Sequence, residues 1–227
     1  MTVPQILKRL HGLRRHRAAP AARVSASGGR LDVVAARAPR RLPLASLRAL
    51  AKTVGRHHRT ARALWDTGDA DARLLATLVE EIALIEDEQL DRWVETAGEP
   101  AVVDRVCLEL AMATPWARSK VGDWAHHRQP LVRRAAYVVL RALARHDAGM
   151  TDADFIPWVD GIPSEASRED PLVREAMVAA LASIGERNTA LRARVLGATA
   201  RIRRLAATAD RAPRLVLRAS ASDWRRL

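Results

Sequence analysis

Apolar residues recur three and four positions apart along most of the chain, and nowhere at every second position for long. The stretches LASLRALAKTVGRH from Leu44, HRTARALW from His58 and DADARLLATLVEEIALI from Asp69 each carry such a stripe, the mark of one buried helix face. The same spacing runs through DEQLDRWVETAG from Asp87, WARSKVGDWAHHR from Trp116 and PLVRRAAYVVLRALARH from Pro130. Asp66-Thr-Gly68 reads as a turn between two of these helices. No alternating run marks a strand. Ahead of the series, residues 5–17 (QILKRLHGLRRHR) predict a short basic helix. The following AAPAARVSASGG, with Pro20 and paired glycines, reads as a linker. Residues 1–30 are therefore expected to be a mobile basic segment and residues 31–227 one helical domain.

A repeat sets the expected architecture. Pro130-Leu-Val-Arg-Arg-Ala-Ala-Tyr-Val-Val-Leu140 and Pro171-Leu-Val-Arg-Glu-Ala-Met-Val-Ala-Ala-Leu181 share Pro, Leu, Val, Arg, Ala and Leu in register, 41 residues apart. A degenerate third copy, Pro100-Ala-Val-Val-Asp-Arg-Val-Cys107, lies thirty residues before the first. Proline suits the first turn of a helix, where no amide donor is needed, and Asp170 can cap that turn. The second copy, closed by Ile184-Gly185, looks like the inner helix of a HEAT repeat. The fold expected is all-α: a HEAT-like solenoid, a curved right-handed array of antiparallel helix pairs.

Charge changes the picture more than composition does. The formal net charge of +12 divides into +14 over residues 1–65, −11 over residues 66–186 and +9 over residues 187–227. Two basic ends flank an acidic middle. Lysine occurs only at positions 8, 52 and 120, so the positive charge is nearly all guanidinium, which pairs bidentately with phosphate. A polyanion partner follows. Cys107 is the only cysteine, which excludes an intramolecular disulfide and a cysteine-based zinc site and fits a reducing, cytoplasmic setting. No apolar run reaches the length of a membrane span, and no Gly-rich phosphate loop or serine-histidine-acid signature is present.

One acid is out of place. A helical wheel over residues 101–112 leaves Arg105 and Glu109 as the polar face and puts Asp104 inside the apolar arc, near Ala101, Leu108 and Ala111. A carboxylate there needs a partner, since burial alone would force a proton onto it. Counting four residues beyond each repeat proline gives Asp104, Arg134 and Glu175, equivalent positions on successive inner helices, so Arg134 is the partner the alignment nominates. Arg133 and Arg174, with Asp170, fit a structural ladder of acid-to-arginine bridges. Other clusters read as structure: His126-His127 and His57-His58 as helix ends, Trp65, Trp93, Trp116, Trp124 and Trp158 as packing, and Cys107 as an inert buried thiol.

Taken in order, these residues resemble the AlkD-type DNA alkylation repair glycosylases, built from HEAT-like repeats. The resemblance runs from about Leu44 to Leu217. It rests on Leu64-Trp65 with Gly68, Asp71 to Arg73, Trp93-Val94, Asp104 with Cys107, Arg134-Ala135, Ala176 to Leu181, Ile184-Gly185 and Arg187-Asn188. It implies a DNA-binding concave surface and hydrolysis of the N-glycosidic bond of purines alkylated at N3 or N7, with no metal or nucleotide cofactor. Asp104 would be the catalytic aspartate, stabilising the cationic sugar and positioning water. Arg134 would contact DNA near the lesion, with Arg133, Arg174, Arg187 and Arg201 as further candidate DNA contacts. The pattern departs at Pro100, Ala179 and Leu131, which stand where the family has aromatic residues, and at Glu175 and Glu186, which replace lysines. Two readings stay open: a glycosylase acting as a monomer on alkylated or distorted double-stranded DNA, with no membrane partner, or a noncatalytic HEAT-repeat scaffold that binds DNA or protein.

Overall fold

A computed structural model of the chain describes residues 1–18 and 41–208. The linker read over AAPAARVSASGG lies, after its first residue Ala18, outside the described residues. Among the described residues the structure is entirely helical. The first pairs are α1 (Val3–Ala18), α2 (Leu44–Val54), α3 (His58–Asp66) and α4 (Ala70–Val79). They are followed by α5 (Asp87–Thr96), α6 (Pro100–Arg105), α7 (Ala117–Ala125) and α8 (Pro130–His146). The series closes with α9 (Asp152–Ala166), α10 (Pro171–Gly185) and α11 (Thr189–Thr208). All three repeat prolines stand at the first residue of a helix, and Asp170 caps α10 by accepting from the Leu172 amide at 2.8 Å. No helix among the described residues is long and apolar enough to cross a membrane.

The chain divides into two compact units, one ending at Val139 and the other starting at Leu140. One domain was the expectation; in a repeat array each helix pair buries its apolar face only on its neighbours, so no single core has to run the whole length. In the first unit α3 packs on α4, α2 on α4, and α4 on α6. In the second, α9, α10 and α11 pack on one another. Helix α9 carries Pro157 and Pro163 in its interior, which breaks the usual sequence rule. Its Thr151–Asp154 capping box and the buried stripe Phe155, Val159, Ile162 and Ala166 hold it as a helix.

Two expectations on the elements change. The helix read from Asp69 to Ile85 stops at Val79, because Glu80 turns extended and sinks its carboxylate into the interior. There it accepts from His58 Nδ1, the Glu81 amide and Gln89 Nε2, each at 2.8 Å, and a lone carboxylate could not be buried without such donors. The second change concerns the N-terminus. The first eighteen residues are not a mobile tail: α1 packs on α3 and α4, with Ile6 and Leu10 fully buried.

Arg14, one turn beyond Leu10 on the same face, explains the docking. Its guanidinium donates to Asp69 at 2.5 and 2.8 Å and to Asp71 at 2.6 Å. Asp69 also caps α4 through the Ala72 amide, and the buried Asp71 accepts from the Leu42 amide at 3.2 Å, so one cluster ties α1, the start of α2 and the start of α4. Hydrogen bonding from Arg14 holds the Asp69 carboxyl below the usual carboxylate range, against the opposing effect of burial. The folded value therefore lies below the unfolded one, so the stabilisation is complete above about pH 4 and fades as pH falls through the folded value. Arg14→Ala is expected to cost ~1–3 kcal/mol and to open α1. Hydrogen exchange at Ile6 and Leu10 should rise sharply in the variant, and in the unmodified protein below about pH 4; unchanged protection would contradict this account of the docking.

Candidate nucleic-acid interface

In α6 and the turn that follows it the side chains of Val102, Val103, Val106 and Cys107 are fully buried, which leaves Asp104 turned toward the open side of the helix and partly exposed. In α8, Val132, Ala135, Ala136 and Val139 are buried in the same way, and their small size lets α6 and α8 approach. Arg134 is itself only 8% exposed. It meets Asp104 side-on, Nε to Oδ1 at 2.8 Å and Nη2 to Oδ2 at 2.9 Å. The pairing nominated by the repeat register is therefore formed. A bidentate arginine–carboxylate pair is among the strongest polar contacts available to a protein, and here each partner is the counterion that makes the other's burial tolerable. Glu175, the third member of the expected row, is exposed on α10 in the second unit.

The helix that carries Asp104 is not regular. After Arg105 it loosens into a π-turn over Val106–Leu110 and tightens into a 3₁₀ turn over Ala111–Ala113. The apolar arc expected around Asp104 is also not the buried one: Ala101 and Leu108 lie with Asp104 on the open side, Leu108 at 41% exposure, while Val102, Val103, Val106 and Cys107 face inward. Glu109 receives Arg105 Nη1 at 3.0 Å and Arg48 Nη2 of α2 at 3.2 Å. Single π-turns are rare and concentrate at functional sites. Sequence reasoning had no signal for this one, since an inserted residue in a helix looks like any other helical residue.

Cys107 sits directly under the pair. Its thiol donates to the Ala135 carbonyl at 3.7 Å, and burial, reinforced by the negative charge of Asp104, pushes its pKa well up. It stays protonated and is no nucleophile. Three of the tryptophans are likewise committed: Trp65 and Trp93 stack with centroids 4.2 Å apart and planes 5° apart, and Trp124 Nε1 donates to Asp91 at 2.7 Å. The buried Lys120 joins the last contact, lying 2.7 Å from Asp91 and 2.8 Å from Asp87. His127 is 3.5 Å from Glu95, and no group of three metal-ligating side chains converges among the described residues.

Several arginines carried as DNA contacts direct guanidinium donors to backbone carbonyls. Arg133 Nη1 donates to His127 O at 2.8 Å and to Arg128 O at 3.0 Å, and Arg174 Nη2 to Glu169 O at 2.7 Å. At equivalent repeat positions both tie the helix start back onto the preceding loop. Arg187 does the same for the end of α8, donating to Ala144 O at 2.9 Å, Asp147 O at 3.3 Å and Met150 O at 2.7 Å, with its cation 4.7 Å from the Phe155 ring. At Arg133 and Arg174, expected to bridge acids, these donors go instead to carbonyls left unpaired in turns and at helix ends. Arg201 remains exposed, 3.7 Å from Asp160, which also binds Arg194.

Helix pairs whose second helices α6, α8 and α10 begin with proline, and a buried arginine that clamps a part-exposed acid just ahead of a π-turn, define a HEAT-like repeat protein with a polar site on its second helices. The sequence profile described as DNA alkylation repair enzyme matches residues 34–222, and the chain belongs to that family. A solved structure from a family of proteins related to the HEAT-like repeat DNA glycosylases, with affinity for branched DNA structures, is similar with a TM-score of 0.73. The identity is 15%, over 89% of this chain and 83% of that one, a likeness of fold. No curated protein matches the chain significantly in sequence.

Removing one member of the pair leaves the other stranded. Asp104→Ala is expected to destabilise the first unit by ~1–3 kcal/mol, less than a fully buried pair would lose because the carboxylate reaches solvent. The Asp104→Ala/Arg134→Met double variant should recover part of that loss. Strictly additive losses in a double-mutant cycle would show that the two side chains do not act as a unit.

Proposed function

We propose that the protein recognises distorted or branched duplex DNA through the surface of its second helices, with Arg134 as the phosphate contact nearest Asp104. The observation that carries this reading is the bidentate clamp of Arg134 on Asp104. A carboxylate whose two oxygens face one guanidinium presents little net negative charge, so the site does not repel a DNA backbone, and guanidinium is the group whose fork matches phosphate. Membership in a DNA alkylation repair family and the likeness to a protein with affinity for branched DNA support the same partner. Arg201, exposed on α11, is a second phosphate contact in this reading; Arg133, Arg174 and Arg187 act through the loops and helix ends they hold.

Excision of cationic N3- or N7-alkylpurines is a second reading, favoured by one specific observation. Asp104 lies one residue before Arg105 and the π-turn, on the solvent-facing side of α6. A DNA phosphate that competes for the Arg134 donors would release Asp104 to face the sugar, where its charge would stabilise the developing cation. The stacked tryptophan pair is internal and Pro100 offers no aromatic ring, so the carboxylate would carry that stabilisation without aromatic walls.

DNA binding should weaken with salt, log K falling by about 0.9 for each phosphate engaged per unit of log salt. Arg134→Gln should lower that slope by about 1. Affinity indifferent to salt would replace DNA by a protein partner. On DNA carrying N7-methylguanine or N3-methyladenine, Asp104→Asn should reduce base release by roughly 10²-fold or more; absence of release from the unmodified protein removes the second reading and leaves the first.

A further inference from the structure

We propose that α1 and α3 carry a second DNA-backbone surface, separate from the Asp104–Arg134 face, so that one molecule holds two duplex arms at once. The proposal rests on the DNA-binding reading above and adds a location to it. Its basis is the docking of α1. With Ile6 and Leu10 buried and Arg14 turned onto Asp69 and Asp71, the opposite side of the helix presents Lys8, His11 and Arg15 at helical spacing, with Arg9 beside them, all exposed.

Helix α3, on which α1 packs, continues the pattern. Its buried face is Ala61, Leu64 and Trp65, and its exposed stripe begins with Arg59 and Arg62. None of Lys8, Arg15, Arg59 and Arg62 has a partner among the described residues. No Asp or Glu occurs among the described residues between Met1 and Trp65, so nothing on α1 or α2 and nothing on α3 before Asp66 neutralises them. Asp69 and Asp71, the nearest acids on α4, are already bound to Arg14.

Direction separates this surface from the first. Asp104 and Arg134 belong to second helices, α6 and α8, and α4 packs in the same layer against α6. Helix α3 is the first helix of its pair, and it turns Ala61 and Leu64 inward and stacks Trp65 on Trp93 of α5, another first helix. Arg59 and Arg62 therefore point away from the layer that holds Arg134. A straight duplex seated on one face does not reach the other; two arms leaving a branch point do.

The chemistry selects nucleic acid over a lipid surface. The apolar side chains of α1 that would enter a bilayer, Ile6 and Leu10, are consumed in its docking, leaving a polar cationic stripe with no insertion face. From Lys8 to Arg15 the stripe spans about 10 Å along the helix axis, a length over which duplex DNA presents roughly six phosphate charges.

The test compares the full chain with Lys8→Gln/Arg15→Gln/Arg59→Gln/Arg62→Gln and with Arg134→Gln, using a four-way DNA junction, a short linear duplex and phosphatidylserine vesicles. The quadruple variant changes only exposed side chains, and circular dichroism and thermal melting should match the unmodified protein. Its junction affinity should fall at least about tenfold and its salt slope by about 3 to 4, while its affinity for the short duplex falls far less. The unmodified protein should also bring two differently labelled duplexes into energy transfer, and the quadruple variant should not. Unchanged junction affinity and slope in the variant, beside DNA binding by the unmodified protein, would overturn the second surface and leave the DNA-binding reading intact. Equal losses on junction and short duplex would merge the two faces into one and overturn it as well. Vesicle binding that vanishes in the variant, with DNA binding untouched, would reassign the stripe to lipid. If the unmodified protein binds no DNA, both readings fall.

Discussion

Burial of the Arg134 guanidinium is the constraint from which the rest of the site follows. A cation that is 8% exposed demands a carboxylate within hydrogen-bonding reach, and α6 supplies Asp104 at the matching step of the repeat. That demand fixes the register of α6 against α8 and sets the thiol of Cys107 beneath the pair, where the low-dielectric surroundings keep it protonated. It also determines what the site offers a ligand. The open side of α6 presents a neutralised ion pair, beside an exposed Leu108 and the bridged Glu109, in place of a bare carboxylate.

Arginine serves three separate purposes here, and the distinction decides how the positive charge should be read. Arg14 and Arg134 satisfy buried or half-buried acids. Arg133, Arg174 and Arg187 satisfy backbone carbonyls in loops and at helix ends, where a planar fork reaches groups that a helix cannot pair internally. Lys8, Arg15, Arg59 and Arg62 satisfy nothing within the described residues, and they carry their charge and their donors at the surface, where a polyanion meets both. A high net charge by itself would have credited all of them equally.

The docking of α1 shows how an exposed flank of the array is built. Such a flank must be polar to stay in water. Here that flank is basic as well as polar, because its acids lie farther along the chain and are drawn inward to hold Arg14. Docking α1 and presenting charge are two results of one arrangement.

Much of this was legible in the residues. Proline at the first helical turn, small residues on the inner faces and a 41-residue register are local or periodic signals, so they announced the helices, the HEAT-like class and the Asp104–Arg134 pairing before any coordinates. The end of α4, the π-turn after Arg105 and the attachment of α1 were not legible. The first and last depend on partners elsewhere in the chain, Glu80 on His58 and Gln89 and Arg14 on Asp69 and Asp71, and the π-turn leaves no mark in the spacing of residues. Sequence alone determined which faces are apolar and where helices begin, because those follow from side-chain spacing and backbone chemistry. Tertiary structure alone decided which charges are consumed inside the fold and which remain for a partner, because that depends on distances between groups that the order of residues does not contain.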